Sequence, residues 1–472
     1  MPSPVRSLLT ATLLLLAPAA RAQTPSPVAA PAPVLSSDEA MLQRFFSECL
    51  THGAAYENLR ALTTGHPGRL AGSKSLEGAV TWGQKTLTAL GLDRVYTQDV
   101  MVPHWERGAP ESVRLLPSAG AASTLAALAL GNSIATPAAG ITAEVIEIKS
   151  LDELETLGRE KIAGKIVFFN RPMDPTFVNP GRAYGAAGDQ RNRGPIAAAK
   201  FGAVAALTRS LTHAQNDIPH TGATTYLPDG GNIPACALST VAADCLSAAL
   251  ASDPKLRVAM QTHTSWHPDA LSHNVIGEIR GSEFPDQIII VGGHLDSWDI
   301  APGAHDDGSG IVQSIEVLRL FKALGLKPRH TLRAVCFTNE ENGLRGGTAY
   351  ADAARKSGEK HIFALETDNG GFQPRGFQLG SSQFDAVARA SRWSALFAPY
   401  GLFTFTPGRG GADVGPLYVL GTTVGELTPD SQRYFDLHHT TADSIDQVNA
   451  RELHLGAAAL ASLIWLVDTQ GL

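Results

Sequence analysis

Three short apolar runs organise the second half of the chain, and each ends in a group able to hold a metal or a proton. Residues 288–291 (IIIV) stop at Gly292-Gly293, with His294 next and Asp296 two positions on. Residues 332–337 stop just before Glu340-Glu341, and residues 362–365 stop at Glu366, with Asp368 two further on. Apolar runs of this length, bounded by glycine and polar residues, predict strands buried on both faces, as in a parallel sheet covered by helices. Residues 308–324 supply a helix with Ile311, Ile315, Leu318 and Leu320 at helical spacing, and residues 343–354 supply the next. The expected fold class is α/β, a mixed and largely parallel sheet flanked by helices. Its crevice would lie at the carboxyl ends of the strands.

The flanking segments extend the pattern. Ser37 and Asp38 can cap a helix running through residues 41–50. GHPGRLAGS (65–73) reads as a turn before a helix over 74–90, and residues 95–102 read as a strand. Over 112–267 the character shifts to alanine, glycine and short strand patterns such as 165–169. A helix over 195–205 presents a small face (Ala197, Ala198, Ala199, Ala203) suited to close packing on a sheet. Residues 408–416 (GRGGADVGP) predict a loop and 422–427 a strand. Asn449 with Glu452 makes a capping-box-like start to an apolar helix over 453–467 that would dock on the sheet. No internal repeat is evident.

Taken singly, the polar groups have ordinary explanations. A histidine at a strand end is commonly structural, a Glu-Glu pair commonly opens a helix, and Asp-Asp-Gly is commonly a turn. Their joint placement, each at the end of an apolar run, points to metal chemistry. Zinc takes imidazole nitrogen and carboxylate oxygen. Two zinc ions about 3.5–4 Å apart need a group that touches both, which an aspartate can do. A glutamate beside a ligand glutamate can take the proton of the shared water. No G-x-S-x-G suggests a nucleophilic serine.

Composition narrows the classes. A formal net charge of −7 leaves no basic footprint, so a nucleic-acid partner is not expected. Arg6, the apolar stretch 8–20 and the Ala20-Arg21-Ala22 pattern read as a signal peptide over 1–22, cut after Ala22. A Pro/Ala-rich disordered leader follows over 23–36. The expectation is an exported protein, periplasmic or secreted, with no membrane span. Export permits disulfides among Cys49, Cys236, Cys245 and Cys336, and Cys236 and Cys245 are close enough in sequence to pair if geometry allows. Cys336 reads as a buried small hydrophobe. The absence of C-x-x-C disfavours a thiolate zinc site.

GGHLDSWD, AHDDGSG, NEEN, ETDNG and LHHTTAD together resemble the zinc peptidases of family M28, and within it the carboxypeptidase Q branch. GKIVFFN, RGPIAAAKFGAVAALTRS, PHTG and IPACALS carry the likeness through the middle segment. The resemblance implies a zinc-exopeptidase fold in two parts, 37–111 and 268–472, with a protease-associated-like cap inserted at 112–267. It implies two Zn2+ ions per chain. Asp306 would bridge them, His294 and Asp368 would complete one, Glu341 and His439 the other, and Glu340 would be the general base. Asp296 would hydrogen-bond and orient His294. His439 fits the family's H-x-x-x-D pattern, with His438 in reserve and Asp443 as an orienting group. A cis Asp306–Asp307 peptide and a homodimer are also implied. Asp413 would sit on the substrate side, against the plain reading of a turn with Gly410 and Gly411. The implied activity is hydrolysis of short peptides, unblocked dipeptides above all. An M28 aminopeptidase acting on longer peptides shares every ligand. A non-catalytic binding protein of this fold would lack ligands, whereas all five positions and the base are present. A one-zinc acyl transferase of glutaminyl cyclase type would not need the full set.

Overall fold

Residues 288–291 form the middle of strand Phe284–His294, which lies parallel to His330–Phe337 on one side and to Lys360–Glu366 on the other. Thr423–Pro429 follows, again parallel. These four strands are the centre of an eight-stranded mixed sheet in the computed structural model, which describes residues 35–472. The signal peptide expected over 1–22, and the leader expected over 23–36 except for its last two residues, lie outside the described residues. Arg94–Glu106 and Ser265–Ile279 extend one side of the sheet as an antiparallel ribbon, and Pro374–Gly380 and Thr404–Pro407 extend the other. Register positions the chemistry. His294 pairs with Phe337, and Gly292 with Glu366. Parallel strands in that register stop together, so the loops leaving them emerge at one edge.

Helices cover both faces. Ile289 and Val291 point into a core shared with Ser309–Ala323 and Ala450–Gln470, while Ile288 and Ile290 face Arg345–Ser357. Successive strand side chains point to opposite faces, so burial on both gives an unbroken apolar run where a half-exposed strand would alternate. Ala450–Gln470 is, among the described residues, the one helix long and apolar enough to cross a membrane, but 67% of its apolar window is buried inside the protein. The Asn449 side chain caps it by accepting from the Arg451 and Glu452 amides. Side chains such as Leu460 and Ile464, buried there, each contribute roughly 1.5–3 kcal/mol.

A second eight-stranded sheet is built entirely from strands between Ser112 and Gln261, in the order 123–125, 112–116, 257–261, 141–148, 166–169, 205–209, 235–238, 127–129. It has its own core on each face, Phe168 and Leu207 on one, Val167 and Phe169 on the other. The helix expected over 195–205 is shorter, Gly194–Lys200, and Ala205–Arg209 is a strand. Gly202, at φ +84°, turns the chain between them. Small apolar residues suit either state, and pairing with Ile166–Phe169 decides for the strand. All four thiols are free, Cys336 is buried, and exposed Cys245 does not pair with buried Cys236.

Candidate metal centre

Five chain segments end at one point. His294 closes its strand, Asp306 lies in the turn Ala304–Gly308, and Glu340-Glu341 follow His330–Phe337. Asp368 follows Lys360–Glu366, and His438-His439 follow the short helix Tyr434–Leu437. Asp306 is central. Its Oδ1 lies 3.3 Å from His294 Nε2, which is 3.5 Å from Asp368 Oδ1. Its Oδ2 lies 3.4 Å from His439 Nε2, which is 3.1 Å from Glu341 Oε2. His438 Nε2 is also 3.5 Å from Asp306 Oδ2, and its ring stacks on His439. His439 therefore meets both carboxylates, and His438 only one. The Asp306–Asp307 peptide is cis.

The residues fit a metal pair by what they leave unsatisfied. His294 Nε2, Asp306 Oδ2, Glu341 Oε1 and Asp368 Oδ1 are all buried and have no hydrogen-bond partner. Buried polar atoms are normally paired; one of these four is on Asp306 itself, two are on His294 and Asp368 beyond its Oδ1, and one is on Glu341, which meets His439 beyond its Oδ2. The charges agree. Burial raises Glu341 and Asp368 above the usual carboxylate range, with Asp306 and Asp296 among the neighbouring charges that add to it. Burial likewise lowers His439, and pushes His438 down to about 4. Burial opposes charge on Asp306 too, yet the imidazoles led by His438 hold it below the usual range. Buried imidazoles and crowded carboxylates are a donor set for divalent cations.

Surrounding groups fix the donors. His294 Nδ1 bonds the Asp296 carbonyl at 3.1 Å, and the Asp296 carboxylate, expected to orient that ring, stands 3.5 Å away. Its oxygens instead accept from the Glu340 and Glu341 amides, so Asp296 positions the Glu-Glu turn. Asp443, expected to orient a histidine, accepts from the amides of His305 and Asp306 and so holds the bridging aspartate's backbone. Asp307 accepts from the His294 and Gly310 amides. Arg69, in the GHPGRLAGS turn, donates to the carbonyls of Leu295, His66, Pro302 and Gly303, tying that turn to the loop before Asp306. Asp413 does not line the cleft. Its amide bonds Glu366, and its buried carboxylate has no partner. Asn339, Leu344 and His439 hold positive φ, a strained backbone for residues with a side chain.

The second sheet reaches this centre through the PHTG loop, whose part in the centre the sequence did not disclose. His220 Nδ1 bonds the His438 carbonyl at 2.9 Å, the Thr221 amide bonds the His439 carbonyl, and the Thr221 carbonyl accepts from His439 Nδ1. That last bond leaves Nε2 of His439 bare toward Asp306, as a hydrogen bond to one ring nitrogen fixes the tautomer that presents the other to a metal. Burial pushes His220 down to about 3, so it stays neutral. His220→Ala is expected to weaken metal retention by about 10- to 100-fold, read as metal content after dialysis against graded chelator. Unchanged retention would assign His220 to folding alone. The PHTG segment was visible as a motif, but its contact lies 218 residues away in sequence.

A cleft of about 650 Å³ opens over the centre. Its wall joins Asp306, Glu340, Glu341, Asp368, His438 and His439 to Tyr184, Arg191, Thr224 and Thr225 from the second-sheet segment. The Glu340 carboxylate accepts no hydrogen bond from the described residues, and burial pushes it up to about 8. A carboxylate in that range can accept and return a proton near neutrality. Another cluster, His104, Glu106 and His267, lies on the antiparallel ribbon outside this cleft, partly exposed and ion-paired through Glu106.

Residues 274–464 match the family described as Peptidase family M28. Carboxypeptidase Q of Xenopus laevis is 37% identical over 420 residues, covering 88% of this chain and 87% of that protein. The crystal structure of a peptidase M28 precursor from Shewanella amazonensis SB2B superposes with a TM-score of 0.87 at 32% identity, covering 92% of this chain and 97% of that one. A zinc aminopeptidase from Bacillus subtilis shares the fold at 19% identity, with a TM-score of 0.62 over 88% of this chain and 95% of that one. These matches over most of the chain, with the donor set at the strand ends, make the chain a metallopeptidase belonging to peptidase family M28.

Proposed function

We propose that this chain is an exported dizinc exopeptidase that hydrolyses short peptides, unblocked dipeptides above all. The observation that carries the reading is the set of four orphaned donor atoms, one on Asp306 and three on the residues grouped about it. His294 and Asp368 would hold one ion, Glu341 and His439 the other, and Asp306 both. Imidazole and carboxylate donors with no thiolate suit zinc. Ions held there would supply an acidified water and a Lewis acid for the scissile carbonyl.

The chain's own groups do the rest. Asp296 holds the amides of Glu340 and Glu341, which aims the Glu340 carboxylate into the cleft. Glu340 takes the proton of the attacking water and hands it to the departing amine. Residues 112–267 act as a cap, because Tyr184, Arg191, Thr224 and Thr225 line the cleft together with Glu340. A cleft of about 650 Å³ closed on that side favours short substrates.

The test is a matched set of free, N-acetylated and C-amidated dipeptides and one longer peptide, assayed with zinc and after chelation. Cleavage of the free dipeptide, lost on chelation and restored by zinc at two equivalents, is the expected result. Faster stepwise release from the longer peptide would make the enzyme an aminopeptidase. No cleavage and no bound metal would end the enzymatic reading.

A further inference from the structure

We propose that Arg191 receives the α-carboxylate of the substrate and so reads a free C-terminus, an assignment that rests on the peptidase reading above. Arg191 lies in the short helix Asp189–Asn192, is 7% exposed, and lines the same cleft as Glu340. It donates to the Tyr184 hydroxyl at 2.7 Å, the Thr221 carbonyl at 3.4 Å and Asn192 Oδ1 at 3.3 Å. All three acceptors are neutral, and no carboxylate of the described residues lies within ion-pair distance of Arg191.

That sets it apart from the other buried arginines. Arg107 pairs with Glu111 and Asp299, Arg209 with Asp244, and Arg333 with Glu278 and Glu359. Arg69 also lacks a carboxylate, but four backbone carbonyls occupy its guanidinium and it does not line the cleft. A nearly buried cation without a counter-ion is costly, and this one faces an open cleft. Every other charged side chain on that wall, imidazoles aside, is a carboxylate: Asp306, Glu340, Glu341 and Asp368. A substrate carboxylate entering such a cleft needs a fixed positive charge, and a planar guanidinium matches it two-pronged.

Position agrees with charge. Arg191 and His439 both donate to the Thr221 carbonyl, at 3.4 and 3.3 Å, so one shared oxygen ties the guanidinium to a residue of the metal centre. In a dipeptide the carboxylate lies one residue, about 3.8 Å of chain, beyond the scissile carbonyl. Tyr184, which accepts from Arg191 and meets the edge of His438, braces the guanidinium from the other side.

The experiment compares kcat/KM for Ala-Leu and its C-terminal amide on zinc-loaded wild type and Arg191→Gln, with zinc content and melting measured on both. The expected result is a loss of about 10- to 100-fold on the free acid, little change on the amide, and unchanged zinc. The preference for a free C-terminus then collapses. Equal losses on both substrates would make Arg191 a brace for the Thr221 loop and overturn the proposal, as would a wild type that cleaves acid and amide equally. If the wild type cleaves neither, the peptidase reading fails by itself. Calorimetric binding of leucine against leucinamide then decides for Arg191: leucine binding lost in Arg191→Gln supports the assignment, and equal binding overturns it.

Discussion

Glu340→Gln is expected to lower kcat by about 10²- to 10⁴-fold while leaving metal content and melting temperature close to wild type. The side chain keeps its size and polarity, so the turn that Asp296 holds through the Glu340 and Glu341 amides remains intact. What disappears is the proton acceptor. The Glu340 carboxylate accepts no hydrogen bond from the described residues and faces the cleft, so little of the fold depends on its charge. KM should move less than kcat, because the group acts on the water and the leaving amine more than on the bound peptide. A variant that lost its metals along with its activity would instead place Glu340 among the donors.

Asp306→Asn has the larger structural consequence. Asp306 is the group that both donor sets share, through Oδ1 toward His294 and Oδ2 toward His439. Replacing one charged oxygen with an amide removes charge from both sets at once. Affinity should fall by more than the roughly 10- to 100-fold typical of an outer-shell partner. Two readouts check it. Metal content after gel filtration should drop at both positions together, and chelation, which should lower the wild-type melting temperature by removing a native-state ligand, should leave the variant's melting temperature unchanged. Loss of a single equivalent would mean that Asp306 serves one ion and that the donors divide differently.

Much of the architecture is written locally. Runs such as 288–291, buried on both faces, are legible because a parallel strand under helices has no polar face to interrupt it. Asn449 and the apolar helix behind it are legible for the same reason, since capping and burial act over a few residues. The helix over 195–205 misled because alanine and valine sit comfortably in either state, and only pairing to Ile166–Phe169 converts its end to a strand. The donors themselves were legible as residue types at strand ends, helped by the likeness of the motifs to a known family.

Their orientation was not. Which of His438 and His439 meets Glu341 depends on a left-handed backbone at His439 and on the Thr221 carbonyl that draws its Nδ1 away. Asp296 and Asp443 were recognisable as supports, yet the groups that they hold are backbone amides, and a sequence does not disclose where an amide points. His220, Thr221 and Arg191 reach the centre from a segment more than 200 residues from His439, carried there by the second sheet. The sequence by itself determined most of the strands and helices and the residue types at the strand ends, because those follow from periodicity over short stretches, while the likeness of the motifs to a known family implied the full donor set. The tertiary structure alone decided which donors converge, which atoms they leave bare and which arginine faces the cleft. Those depend on register between distant strands and on backbone hydrogen bonds made across the fold.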